Sequence, residues 1–223
     1  MSGLWLKDLL VLKRQSLALI LNIIVATFVL ALFKENGIFI GMMVFGITIS
    51  LVTLNLLTYD QNDNGLVYIF SLPITIKEYI IQKYSIVTLM NVLGIVVMII
   101  LSLIFNQVQN WQLSFMWILT SAYLVGLVVL GIILFTLHFQ LSHGPESGAV
   151  AMSALGSVNV VILGVGWAIF AETNWGRKIV LQIYQYFTDH GTGMLLIGLS
   201  LLLVVVISLA AQSSIKYLTN HDI

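Results

Sequence analysis

Long apolar runs alternate with short polar segments along this chain. Six runs, 16–33, 38–57, 86–105, 113–137, 149–170 and 194–211, contain no Asp, Glu, Lys or Arg. A bilayer core about 30 Å thick is crossed by about 20 helical residues. Hydrocarbon offers no partner to a free peptide N–H or C=O, and the runs lack the two-residue alternation of a membrane barrel, so they predict helices. The expected fold is all-α: a polytopic membrane protein with six transmembrane helices, forming one domain over residues 1–223.

The pattern changes between the runs. In "GLWLKDLLVLKRQ", residues 3–15, Lys7, Asp8, Arg14 and Gln15 fall within about a third of a helical circumference, opposite Trp5, Leu6, Leu9 and Leu12. Leu4 and Val11 interrupt that polar arc. This predicts a helix lying in the membrane interface with Trp5 as anchor. In the segment 171–193, Ile179, Ile183 and Tyr186 or Phe187 recur at helical spacing, which predicts a helical insertion on the opposite, outer side.

The segment 58–84 is the richest. "TYDQNDNG" is polar, "LVYIFS" is amphipathic, and Leu72-Pro73 interrupts it. Thr75-Ile76-Lys77-Glu78 then has the spacing of a capping box, in which a Thr hydroxyl accepts from the backbone while Glu three residues later reaches back. A new helix is expected from about Thr75, running through Lys83 into the third span. A connection this elaborate between two spans predicts a binding role.

Composition narrows the functional classes. The chain is 60% hydrophobic and 8% charged, against about a quarter charged for soluble domains. Zero net charge removes any case for nucleic-acid binding through bulk electrostatics. With no cysteine there is no thiolate metal site or thiol nucleophile. Placing the N-terminus inside puts Lys7, Lys13, Arg14, Lys77, Lys83 and Lys216 on the inner side, against Lys34, Arg177 and Lys178 outside. Both termini are therefore expected in the cytoplasm. No G-x-x-x-x-G-K-[ST] phosphate loop is present, so no bound cofactor and no catalytic residue is expected on this chain.

His138 and His143 are five apart, the wrong spacing for a helical metal pair, and no metal site is expected. Asn22, Asn55, Asn91 and Asn159 lie within spans, where an amide needs either an interhelical partner or a polar pathway to line. Ala149, Ser153 and Ser157 form a small-residue ladder suited to close helix packing. No span carries an ionisable residue near its middle, which disfavours an ion-driven secondary transporter.

"DQNDNG" (Asp60 to Gly65) followed by "SLPITIKEYIIQKY" resembles the permease subunit of a bacterial type-2 ABC exporter, similar to the permeases that export peptides such as phenol-soluble modulins. Ile76 stands where that pattern commonly has a basic residue, with Lys77 beside it. The resemblance implies a multi-pass bacterial plasma-membrane subunit, working as a homo- or heterodimer with a second permease chain. ATP and Mg would sit on a separate ABC ATPase subunit. It further implies that the 59–73 segment is a coupling helix docked on that ATPase, with Tyr59, Asp60, Asn62, Asp63, Gly65, Tyr68, Leu72, Pro73, Lys77 and Glu78 at the interface. Gly65 is expected to admit a close backbone approach by the partner. The expected cargo is an amphipathic peptide or other hydrophobic compound, and the alternative is a non-transporting immunity or scaffold protein of the same fold.

Overall fold

The computed structural model describes residues 2–33, 37–62, 65–144, 146–148, 150–151, 153–154 and 192–220. Its helices are α1 (Ser2–Arg14), α2 (Ser16–Phe33), α3 (Gly37–Gln61), α4 (Gly65–Ser71), α5 (Ile76–Val108), α6 (Phe115–His143) and α7 (Thr192–Asn220), with no strand among the described residues. Five of them, α2, α3, α5, α6 and residues 200–219 of α7, are long and apolar enough to cross a membrane. The all-α, multi-pass architecture read from the apolar runs is the one observed. The fifth run, 149–170, and the insertion at 171–193 lie almost wholly outside the described residues.

Local sequence accounts for the helix boundaries. Thr75 Oγ accepts from Glu78 N–H at 3.2 Å while Glu78 Oε2 accepts from Thr75 N–H at 3.0 Å, so both halves of the capping box are made. The helix it starts continues for 33 residues, joining the polar turns after Pro73 to the third span without a break. Ser114 caps α6, accepting from Trp117 N–H at 3.2 Å. Gly144, at φ +89°, ends it with its N–H on Gln140 C=O at 3.0 Å. Only a residue without Cβ adopts that backbone freely.

Helix α3 is central, packed against α2, α5 and α6, while α7 lies against α6 and α5. Two apolar cores stack along the bundle. One joins Leu4, Leu57, Ile69, Ile80, Leu137 and Leu218, and the other joins Leu30, Ile38, Met42, Met98, Trp111 and Ile118. Because Leu4 and Leu218 share one core, the two termini lie at the same end of the bundle. Within the second core, α3, α5 and α6 approach closely at glycines. A Cβ on Gly46 would stand 2.9 Å from Val129, one on Gly94 2.9 Å from Ile49, and one on Gly126 2.2 Å from Ile95.

The structure corrects the reading of α1. Its buried face is Leu4, Asp8 and Leu12, one residue per turn, with Trp5 and Val11 packed partly against the core. Leu6, Leu9 and Leu10 are exposed. Leu4 and Val11 do not spoil a solvated arc; they belong to the face that meets the bundle. Asp8 goes inward with them because it finds cationic and amide partners there.

Candidate functional site

The segment between α3 and α5 forms an elbow at the end of the bundle where the termini meet. After Ser71 the chain turns tightly, with Leu72 N–H on Ile69 C=O at 3.2 Å and Ile74 N–H on Leu72 C=O at 2.7 Å. The second bond closes a three-residue turn centred on Pro73, whose ring presets φ. On the other side of α4, Gly65 abuts α3. A Cβ there would come within 2.6 Å of the Asp60 carbonyl oxygen and 3.5 Å of the Tyr59 carbonyl oxygen. The close approach that Gly65 makes among the described residues is to its own chain.

Helix α4 divides its side chains sharply. Ile69 is buried and Phe70 meets Tyr79 edge-on, ring centroids 5.5 Å apart. Val67 and Tyr68 are 59% and 70% exposed, and beside them Tyr59 and Leu72 are 60% and 42% exposed. Asn62, Pro73 and Lys77 are also exposed, while Glu78 is half-buried and engaged in the cap. The result is an outward strip with four large apolar or aromatic side chains on one short helix and its flanks.

Behind that strip lies a cluster of charges. The Lys83 ammonium donates to Asp8 Oδ2 at 2.8 Å and Asp8 Oδ1 at 2.9 Å, and pairs with Asp60 Oδ2 at 2.7 Å. Asp60 also accepts from the Tyr79 hydroxyl at 3.1 Å and pairs through Oδ1 with Lys7. Gln82 Nε2 donates to Asp8 at 2.5 Å, and Lys7 stands 3.6 Å from Asp8. Lys83, Asp8 and Asp60 are 1%, 0% and 4% exposed. Removing an ion from water costs several kcal/mol unless partners offset it. Two ammonium groups against two carboxylates, with a phenol and an amide filling remaining positions, is a charge-balanced solution to that cost.

Neutral polar pairs extend the network across the same end. Gln61 Nε2 donates to Gln140 C=O at 2.9 Å and Gln140 Nε2 to Thr58 Oγ at 2.9 Å, joining α3 to α6. Ser214 Oγ lies 3.2 Å from the Tyr84 hydroxyl and 2.7 Å from His138 Nδ1, joining α7 to α5 and α6. Among the described residues, no three His, Asp or Glu side chains converge as metal ligands.

The sequence-selected residues therefore separate into groups. Tyr59, Asn62, Tyr68, Leu72, Pro73 and Lys77 are all exposed, whereas Asp60 turns inward to Lys7, Lys83 and Tyr79. Asp63 and Asn159 lie outside the described residues. Asn22 is buried and accepts from Thr48 Oγ. Asn91 is buried with its Oδ1 unpaired, beside a small cavity of about 20 Å³ among Gly46, Gly94 and Gly126. Asn55 is exposed and, with Thr58, Tyr59 and Asn62, lines an open recess of about 260 Å³. Sequence reasoning missed the association of Asp8, Tyr79, Gln82 and Lys83. The available signal was that charges this rare stand within a few turns of three different span ends.

A family model described as ABC-2 family transporter protein matches residues 3–218, nearly the whole chain. No curated protein and no solved structure matches it.

Proposed function

The chain belongs to the ABC-2 transporter family, and from that premise we propose that it is the permease subunit of an ATP-driven exporter whose ATPase docks on the elbow. The observation that carries this reading is the exposed strip of Tyr59, Val67, Tyr68 and Leu72 on a short helix whose other face is locked into the bundle. A rigidly mounted helix transmits a push from a partner into the spans. A flexible loop would absorb it.

In this reading the partner holds ATP and Mg, and the elbow lies in the cytoplasm with both termini. The ATPase contact uses Tyr59, Asn62, Val67, Tyr68, Leu72, Pro73 and Lys77. Asp63 is kept as a contact from the sequence alone, Gly65 sits at the connection itself, Asp60 anchors it from behind, and Glu78 fixes the start of α5. Val67 joins the residues chosen from sequence because it projects beside Tyr68. A second permease chain completes the pathway, with Asn55 as its candidate lining residue, since it is the span asparagine that points out of the described bundle. Asn22 and Asn91 serve helix packing instead. The proposed cargo is an amphipathic peptide or other hydrophobic compound, consistent with walls that carry no mid-span charge.

The test is co-expression with the neighbouring ATPase and purification through a tag on the permease. Wild type is expected to retain the ATPase, and Tyr68→Asp to lose it while inserting normally. Tyr68 is 70% exposed, so the substitution removes little internal packing. Undiminished recovery with Tyr68→Asp would overturn the docking assignment.

A further inference from the structure

The charge cluster divides in a way that bears on how α1 is held. Lys7 and Asp8 are chain neighbours on α1, 3.6 Å apart at their charged atoms. If both leave, Asp60 and Lys83 remain paired at 2.7 Å, with Tyr79 still donating to Asp60 at 3.1 Å. Each half is neutral, so separation strands no buried ion. Had α1 carried a single charge, undocking would leave an uncompensated ion in the core, a strongly unfavourable state.

The rest of α1 fits a separable element. Only its Leu4 and Leu12 are fully in the shared core, while Leu6, Leu9 and Leu10 face outward. The Lys7 side chain is 38% exposed, so water already reaches that edge of the cluster. Between α1 and α2 stands one non-helical residue, Gln15, whose N–H is shared between Val11 C=O at 3.1 Å and Leu12 C=O at 3.0 Å. A shared bond of that kind is common at a helix end. The bonds that hold α1 down are those of Asp8 to Lys83 and Gln82 near the start of α5, and that of Lys7 to Asp60 on α3.

We propose that α1 is a latch on the elbow, docking and releasing as a charge-neutral unit with Lys7 and Asp8 together, while Asp60, Tyr79 and Lys83 stay with the bundle. Docked, it seals the core that Ile69, Tyr79 and Ile80 share with Leu4 and Leu12, and so stiffens the joint between α4 and α5. Released, it leaves that joint intact but freer to bend. The inference concerns this chain's own helices and stands whether or not an ATPase binds the elbow.

The absence of native cysteine makes the test direct. Single thiols are introduced into the full chain by Leu12→Cys on α1 or Leu57→Cys on α3, both buried in the same core. Their labelling rates with a small thiol reagent are measured in lipid nanodiscs. In the Lys7→Gln/Asp8→Asn background, the thiol at 12 is expected to label about tenfold faster or more, and the thiol at 57 within about twofold of its original rate, as for a local opening. In the Lys83→Gln background, which leaves two carboxylates facing Lys7, both thiols are expected to label faster. Failure of that variant to accumulate, when the neutral double variant accumulates normally, reports the same loss of the bundle. Acceleration at both positions in the neutral background, or at neither, would overturn the latch. So would Lys83→Gln that frees position 12 alone or leaves both rates unchanged, because Lys83 would then not hold the remaining bundle.

Discussion

Lys83 touches two carboxylates from helices that are far apart in sequence, and it is itself buried. Lys83→Met removes the cation that faces both, leaving Asp8 and Asp60 with Lys7. Breaking a buried ion pair from one side costs about 3–5 kcal/mol. Thr75→Ala, by contrast, removes a cap on an exposed turn and costs about 1 kcal/mol. Thermal unfolding of the purified chain in one detergent is expected to rank Lys83→Met well below Thr75→Ala, with wild type highest. Gly126→Ala belongs between them, because its Cβ meets the mobile end of Ile95 rather than backbone, an overpacking cost of about 1–3 kcal/mol.

At the scale of the element, α3 and α5 both outrun the apolar windows that announced them. α3 reaches Gln61 because Thr58, Asp60 and Gln61 have side-chain partners on α5 or α6. α5 begins ten residues before its apolar window, at Ile76, because Thr75 and Glu78 cap it there. The elbow is therefore mounted on two continuous helices. Gly65→Ala would push a Cβ onto the Asp60 carbonyl, a backbone atom that cannot swing aside. Hydrogen exchange across 65–71 is expected to accelerate in Gly65→Ala and to stay near wild type in Tyr68→Asp. Matching exchange in the two variants would contradict the division of α4 into a mounted face and a free one.

At the scale of the molecule, the two termini and the elbow share one end of the bundle, so they lie on the same side of any membrane the spans cross. Under the proposed orientation that side is the cytoplasm. Tyr68→Cys should react with a membrane-impermeant thiol reagent in inside-out vesicles and not in intact cells. Tyr68 serves as the reporter position because it is largely exposed. Labelling from outside intact cells would reverse the orientation and remove the ATPase from this face.

The spans, the break at Pro73 and the capped start of α5 were legible in the sequence because each depends on neighbours within a turn or on the local density of apolar residues. Hydrocarbon and the backbone impose those rules on any chain, whatever it folds against. The three described span asparagines look alike in sequence; packing buried Asn22 and Asn91 and left Asn55 outside. Gly65 was visible as a point of close approach, but only the return of α4 against α3 decided that Asp60 is what approaches it. The cluster lies furthest from sequence. Asp8 and Lys83 are 75 positions apart, and on a helical wheel Asp8 reads as one more member of a solvated arc. Burial reverses its meaning, since in the core a charge is stable only beside its partners, and the tertiary structure alone brings α1, α3 and α5 together to supply them.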